Sequence, residues 1–362
     1  MLDFRPVLLV IGFLLATLGL AMLIPAAADI AVGNKDWQVF LAASIATVFV
    51  GGSMALASRG SAENLNLRQA FLFTTGAWTF IALFGALPFF FSELNLSFTD
   101  AFFESMSGIT TTGSTVITGL DHAPPGILLW RAILQWMGGI GIIVMAVAIL
   151  PMLEVGGMGL FRMESSDTSE KILPRARQIA SALASLYLGI SAICVLCLWA
   201  AGMQLFDAIA HAMTTVATGG YSTSDGSVGH FDSALIDGII TLFMVVGSLP
   251  FVLYLQILRG RPLQFWRDTQ VRWFFAIALG AIAVLTAFRA TNSDVPLLDA
   301  LRYTSFNAVS VMTGTGYTTA DYGVWGGFVV GLFFLLMFIG GCAGSTSCGV
   351  KIFRVQILYE TA

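Results

Sequence analysis

Ser107-Gly108-Ile109-Thr110-Thr111-Thr112-Gly113-Ser114-Thr115 is the stretch that decides how this chain folds. Three threonines run into a glycine between apolar patterns, too polar for hydrocarbon and too short to link domains. Variants recur at Val216-Ala217-Thr218-Gly219-Gly220-Tyr221-Ser222 and at Met312-Thr313-Gly314-Thr315-Gly316-Tyr317-Thr318. Outward from each of these knots lie a short helical pattern on one side and a long apolar run on the other.

Hydrophobic residues make up 57% of the 362 and charged residues 10%, where a soluble domain carries about 25% charged. With a mean hydropathy of +0.86, a soluble globular protein is excluded. Apolar runs of about 18 residues or more recur, each long enough to cross a ~30 Å hydrocarbon core. The first, residues 7–27, lacks a cleavage site and is followed by further spans, so it reads as a transmembrane helix and not a signal peptide. No basic tract points to nucleic acid. Cys194, Cys197, Cys342 and Cys348 lie in apolar or glycine-rich sequence. The Cys194–Cys197 spacing has no flanking metal or redox pattern, so these residues read as apolar filler.

Two spans open the chain at 7–27 and 37–57, joined by a loop holding Asp29, Lys35 and Asp36. A third span at 69–91 leads to Leu96-Ser-Phe-Thr-Asp100, a helix start that Ser97 or Thr99 can cap. Asp100 there is favourably placed against the helix dipole. The helix ends near Ile109 after roughly 10 residues, or ~15 Å, half a membrane. The knot, a polar loop with Asp121 and His122, and a span at 127–150 complete the unit. The same order then repeats. A charged connector (Glu154, Arg162, Glu164, Asp167, Glu170, Lys171, Arg175, Arg177) precedes a span at 179–201, a short helix to Val216, the second knot and a span at 234–258. A basic connector (Arg259, Arg261, Arg267, Arg272) precedes a span at 274–288, a short helix from Pro296, the third knot and a span from Val324.

The spacing makes this an internal repeat. Asp100 and Asp207 each stand 13 residues before their glycine, Gly113 and Gly220. Ser107 and Ser310 each stand six before theirs. Glycines on the following spans, Gly139, Gly247 and Gly341, lie 26, 27 and 25 residues after Gly113, Gly220 and Gly316. Lys and Arg concentrate in the connectors, which places these on the cytoplasmic side. The loops after the knots carry Asp121, Asp225, Asp232 and Asp321 and face outward. The expected fold is therefore an all-α polytopic membrane protein, with two N-terminal transmembrane helices (1–62) and three span–pore helix–filter–span repeats at 63–156, 157–262 and 263–362.

Non-helical backbone at membrane depth survives only where it is buried in protein or lines a water-filled path. Glycine accepts backbone angles that let carbonyls point one way, and threonine hydroxyls add oxygen ligands. Rings of such oxygens replace a cation's hydration shell. The negative ends of the short helices also favour cations. Ordinary helix-packing or turn sequence is the competing reading of one knot alone, and three knots in register weigh against it.

The residues at this point resemble a known family. Asp100-Ala-Phe-Phe-Glu104 through Thr112-Gly113, Gln135-Trp136-Met-Gly138-Gly139-Ile-Gly141, Ala217-Thr-Gly-Gly-Tyr-Ser-Thr223 and Gly340-Gly341-Cys-Ala-Gly344-Ser345-Thr346 are similar to the TrkH/KtrB superfamily of bacterial potassium transporters. The extra N-terminal helix pair resembles TrkH more than KtrB. The resemblance covers essentially the whole chain. It implies potassium uptake through a pore of four linked repeats, usually paired as a homodimer in the bacterial inner membrane. It also implies a cytosolic, nucleotide-binding TrkA-type ring as partner. No cofactor is implied, potassium being the transported ion. By position, the filter residues are Thr111, Thr112 and Gly113, then Thr218, Gly219 and Gly220, then Gly314, Thr315 and Gly316. The glycine-rich break at Gly340, Gly341, Gly344, Ser345 and Thr346 resembles the family's intramembrane gating loop. On residues alone, these positions interrupt any helix before Lys351 and Arg354, with a kink packed on small residues as the alternative. The family has four repeats and this sequence carries three, which predicts a fragment or a fourth unit on another chain.

Among other residues, Arg131 is expected to snorkel outward or to pair with Asp121 or Glu104. Glu104 is the better candidate for electrostatics near the ion entrance. His122, His211 and His230 suggest no metal site. Trp130, Trp136, Trp273 and Tyr322 fit interfacial belts. A sodium or mixed-cation transporter of the same architecture is the alternative function. An intramembrane enzyme would need a buried Ser–His or paired-Asp constellation, which the loop positions of the aspartates oppose.

Overall fold

A computed structural model describes residues 3–60, 67–148 and 172–361. Most of the first charged connector, from Glu154 to Lys171, lies outside these residues, as do the repeat boundaries at 62/63 and 156/157. Among the described residues the fold is helical, and six helices are long and apolar enough to cross a membrane. The chain divides into two compact units, Met1–Gly138 and Gly139–Ala362.

The first unit holds α1 (Arg5–Ala21), α2 (Leu23–Val32), α3 (Trp37–Ala57), α4 (Leu67–Gly85), α5 (Leu87–Phe91), α6 (Phe98–Ile109) and the start of α7 (Pro125–Ala148). α1 packs along α3 and α4. The approach is close because small residues face each other, Gly12 against Gly51, and the Ser44 hydroxyl donates to the Gly19 carbonyl at 2.6 Å. Small-residue faces are how helices associate where lipid removes the hydrophobic driving force. The opposite faces expose Phe13, Leu20, Ile45 and Phe49, an apolar girdle suited to acyl chains.

Asp29, expected in the loop after the first span, instead lies inside α2 and is fully buried. The helix runs on to Val32 and stops at Gly33, which takes a left-handed conformation. Asp29 Oδ1 accepts the Gly126 N–H at 2.6 Å, satisfying a free donor in the first turn of α7. Asp36, in the following loop, accepts the Glu93 N–H at 3.3 Å, and burial pushes its carboxyl above the ordinary range. Two acids of the helix pair thus fasten the two ends of repeat 1's entry region.

The second unit holds α8 (Ile172–Ala200), α9 (Leu205–Val216), α10 (Ala234–Ser248), α11 (Phe251–Leu258), α12 (Leu263–Arg267), α13 (Thr269–Asn292), α14 (Leu297–Thr313), α15 (Gly327–Leu336) and α16 (Ile352–Thr361). α9 packs on α8 and α10, while α14 packs on α10 and α13. Two expected spans are broken. The run 234–258 bends by 95° between α10 and α11. Pro250 there cannot continue the hydrogen-bond ladder, and the Phe251 N–H is satisfied by the Gly344 carbonyl at 3.0 Å. The span expected from Val324 is helical only over Gly327–Leu336, too short to cross alone. Trp130, expected at the interface, is buried, and its ring N–H donates to the Gly85 carbonyl at 2.9 Å.

Candidate ion filter and gating loop

Each short helix is built to end at its knot. In α6 the Ser97 hydroxyl accepts the Asp100 N–H at 3.2 Å and donates to the Asp100 carboxylate at 2.7 Å, fixing the start. Past the C-terminus, one donor in each repeat folds back on the helix in the same register. The Thr112 N–H donates to the Ser107 carbonyl at 2.9 Å, Gly219 to Thr214 at 2.8 Å, and Thr315 to Ser310 at 3.0 Å. These bonds satisfy the donors on the helix side of each strand.

The backbone angles repeat as well. Thr111 (φ 57°) and Gly113 (82°), Thr218 (51°) and Gly220 (78°), and Gly314 (72°) and Gly316 (85°) are left-handed. The residue between each pair is not. Alternation of this kind turns successive carbonyls toward one side of the strand. A β-branched residue at positive φ is a true outlier, costing on the order of 1–3 kcal/mol. Two threonines hold it, and the third repeat uses glycine. The carbonyl row is therefore kept against a local cost, as at sites under functional constraint.

Behind each strand a buried polar side chain of the short helix ties down the outgoing chain. Glu104 accepts from the Thr115 hydroxyl (2.9 Å) and the Val116 N–H (3.0 Å). Asn307 accepts the Thr319 N–H at 3.4 Å and donates to the Thr319 hydroxyl at 2.9 Å. His211 Nε2 meets the Ser222 hydroxyl at 3.0 Å, while its Nδ1 lies 2.9 Å from the Asp207 carbonyl. All three side chains are fully buried, and each stands nine residues before its filter glycine. Glu104 is in turn paired with Arg131 of α7 at 2.8 Å, both inaccessible to solvent. Of the roles expected for Arg131, pairing with Glu104 is the one found. The helices that follow lie hard against two knots. A side chain at Gly138 would collide with the Ile109 carbonyl, and one at Gly247 would approach the Val216 carbonyl to 2.8 Å. In repeat 1 the glycine facing the knot is thus Gly138, next to the Gly139 whose spacing marks the repeat.

Within the second unit, knots 2 and 3 are neighbours, since a Cβ at Gly220 would collide with the Thr315 carbonyl. The break after α15 is not a kink. The chain leaves the helix at Leu336, runs through Gly340, Gly341, Gly344, Ser345 and Thr346, and returns to helix only at Ile352. It is held at both ends, by Gly340 N–H to the Val350 carbonyl (2.9 Å) and Val350 N–H to the Phe338 carbonyl (3.0 Å). Its tip touches both knots. The Thr346 hydroxyl lies 3.0 Å from the Val216 carbonyl and 2.9 Å from Gly247's. The Thr218 hydroxyl donates to Thr346 Oγ1 at 3.2 Å, and the Ser347 hydroxyl donates to the Thr313 carbonyl at 2.6 Å. Lys351 donates to the Ser347 carbonyl. Among the described residues no His, Cys, Asp and Glu side chains cluster as a metal site.

Helices ending at strands whose left-handed residues recur in one register, set among membrane-length apolar helices, are features suited to a membrane protein that passes a cation. Residues 36–362 match the TrkH family, described as cation transport protein, and the chain belongs to that family. It is 42% identical to the Trk system potassium uptake protein TrkI of Halomonas elongata, over 97% of this chain and 72% of that protein. It is 39% identical to the TrkH protein of Escherichia coli K12, over 99% of this chain and 75% of that one. The crystal structure of the potassium transporter TrkH from Vibrio parahaemolyticus superimposes with a TM-score of 0.91 at 36% identity, covering 99% of this chain and 75% of that one.

Proposed function

We propose that this chain takes up potassium across a membrane through carbonyls of Thr111, Thr112, Gly113, Thr218, Gly219, Gly220, Gly314, Thr315 and Gly316. The observation that carries the reading is the paired left-handed residues recurring in one register at three knots. Potassium, and not another cation, is supported by the names of the relatives. Transport, not catalysis, is the family's activity. Each repeat (63–156, 157–262, 263–362) contributes one strand of the filter after the helix pair at 1–62, and a fourth strand closes the ring. The knots face outward and the arginine-rich connectors face the cytoplasm of a bacterial inner membrane.

The segment from Gly340 to Thr346 acts as the gate. Its hydrogen bonds through Thr346 to the Val216 and Gly247 carbonyls, with that of the adjacent Ser347 to the Thr313 carbonyl, support this role, because they hold an irregular segment directly against two knots. A TrkA-type nucleotide-binding ring sets its state from the cytoplasmic side, and two copies of the transporter associate in the bilayer. In a bacterium lacking its own potassium uptake, expression of the intact transporter restores growth at low potassium. Gly113→Ser weakens the preference for potassium over sodium. Unchanged selectivity in that variant sinks the filter assignment.

A further inference from the structure

Repeats 1 and 3 brace their filter strands in one way, and repeat 2 in another. The Ser107 hydroxyl donates to the Ser114 carbonyl at 2.6 Å, and the Ser310 hydroxyl to the Tyr317 carbonyl at 2.7 Å. Both braces run from the pore helix to the residue just after the filter glycine. Threonine occupies this register position in repeat 2. The Thr214 hydroxyl turns back to its own helix, to the Ala210 carbonyl at 3.0 Å and the His211 carbonyl at 3.2 Å. That is the rotamer a β-branched hydroxyl favours in a helix. It also meets the hydroxyl of Tyr317, which comes from repeat 3. The Tyr317 hydroxyl also lies 3.3 Å from the Tyr221 carbonyl, the acceptor equivalent to the Ser114 and Tyr317 carbonyls in the other two repeats, and 3.5 Å from the His211 carbonyl. Thr214, Tyr221 and Tyr317 are all buried, and the Tyr317 ring lies tilted over His211 with centroids 5.8 Å apart.

We propose that Tyr317 is a positioning residue for the second filter strand. It supplies from the neighbouring repeat the brace that a serine supplies within repeats 1 and 3, and so ties strands 2 and 3 into one unit of selectivity. This rests on the reading of the knots as the filter. A Cβ at Gly220 would collide with the Thr315 carbonyl, so the two strands lie directly against each other.

The test is a rescue, measured as the ratio of potassium to sodium uptake by the intact transporter. Tyr317→Phe keeps the ring and removes the hydroxyl, and the ratio falls about fivefold, the scale of one net hydrogen bond. Adding Thr214→Ser frees the hydroxyl to take the rotamer of Ser107 and Ser310 and to brace the Tyr221 carbonyl directly, and the ratio recovers. A merely structural tyrosine gives the opposite result, because Thr214→Ser removes a further buried methyl and lowers the amount of protein with no gain in selectivity. An unchanged ratio in Tyr317→Phe overturns the proposal, as does a loss that Thr214→Ser leaves in place. Gly220→Ser run alongside separates the two claims. If it alone loses selectivity, the filter stands and the Tyr317 role falls; if neither variant does, the filter reading falls first.

Discussion

Glu104 and Arg131 show what a single pair of residues does at this site. Both are inaccessible, and a buried charge left alone is far more costly than a buried pair is favourable. Glu104→Gln strands the Arg131 guanidinium and lowers stability by about 3–5 kcal/mol, read as a fall in the thermal midpoint in detergent. Glu104→Gln combined with Arg131→Met removes both charges and recovers most of that loss. If the double variant is as unstable as the single one, the loss comes from the Glu104 bonds to Thr115 and Val116 and not from the stranded charge. The pairing was legible in the sequence as one of two partners for Arg131. The equivalence of Glu104 with His211 and Asn307 was not. An acid, an imidazole and an amide share no residue-type signal, although the interval of nine residues to Gly113, Gly220 and Gly316 was there to be counted. Asp29 departs from its expected loop position for a related reason. A carboxylate four residues before Gly33-Asn34-Lys35 reads as the start of a loop, and nothing local says that it caps Gly126, 97 residues away.

Among the elements, the short helices and the segment after α15 are the ones on which the proposed function rests. The half-membrane lengths of α6 and α9 followed from sequence because Thr/Gly runs and apolar periodicity are local signals. The third helix is longer, at 17 residues from Leu297 to Thr313. The 95° bend between α10 and α11 was not anticipated. Leu249-Pro250 lies within an apolar run that scores as a span throughout, and the partner that stabilises the bend is the distant Gly344 carbonyl. The glycine-rich break was legible, but its grip on the knots through Thr346 and Ser347 was not, since hydroxyls so far apart in sequence give no pairing signal. That grip yields a prediction. Thr346→Val keeps the shape and removes the one hydroxyl donor shared between the Val216 and Gly247 carbonyls, worth about 1 kcal/mol net. The segment loosens, and potassium flux into proteoliposomes rises several-fold with selectivity retained. Flux at the unmodified level would show that the segment is not a barrier.

Over the whole molecule, the fold class was legible because the bilayer dictates it. A chain with 57% hydrophobic residues must satisfy its backbone internally, which leaves helices, with irregular strands only where they are sheltered. Membership of the TrkH family and the overlap with the Vibrio parahaemolyticus transporter agree with that reading over nearly the full chain. On the proposed function the knots select potassium. Competition for rubidium uptake, in an uptake-deficient bacterium expressing the intact transporter, tests it most directly. Potassium should suppress rubidium entry at a concentration at least about tenfold below the sodium needed for the same effect, a gap of ~1.4 kcal/mol. Equal suppression by the two ions would contradict a potassium filter and leave a mixed-cation pathway in its place.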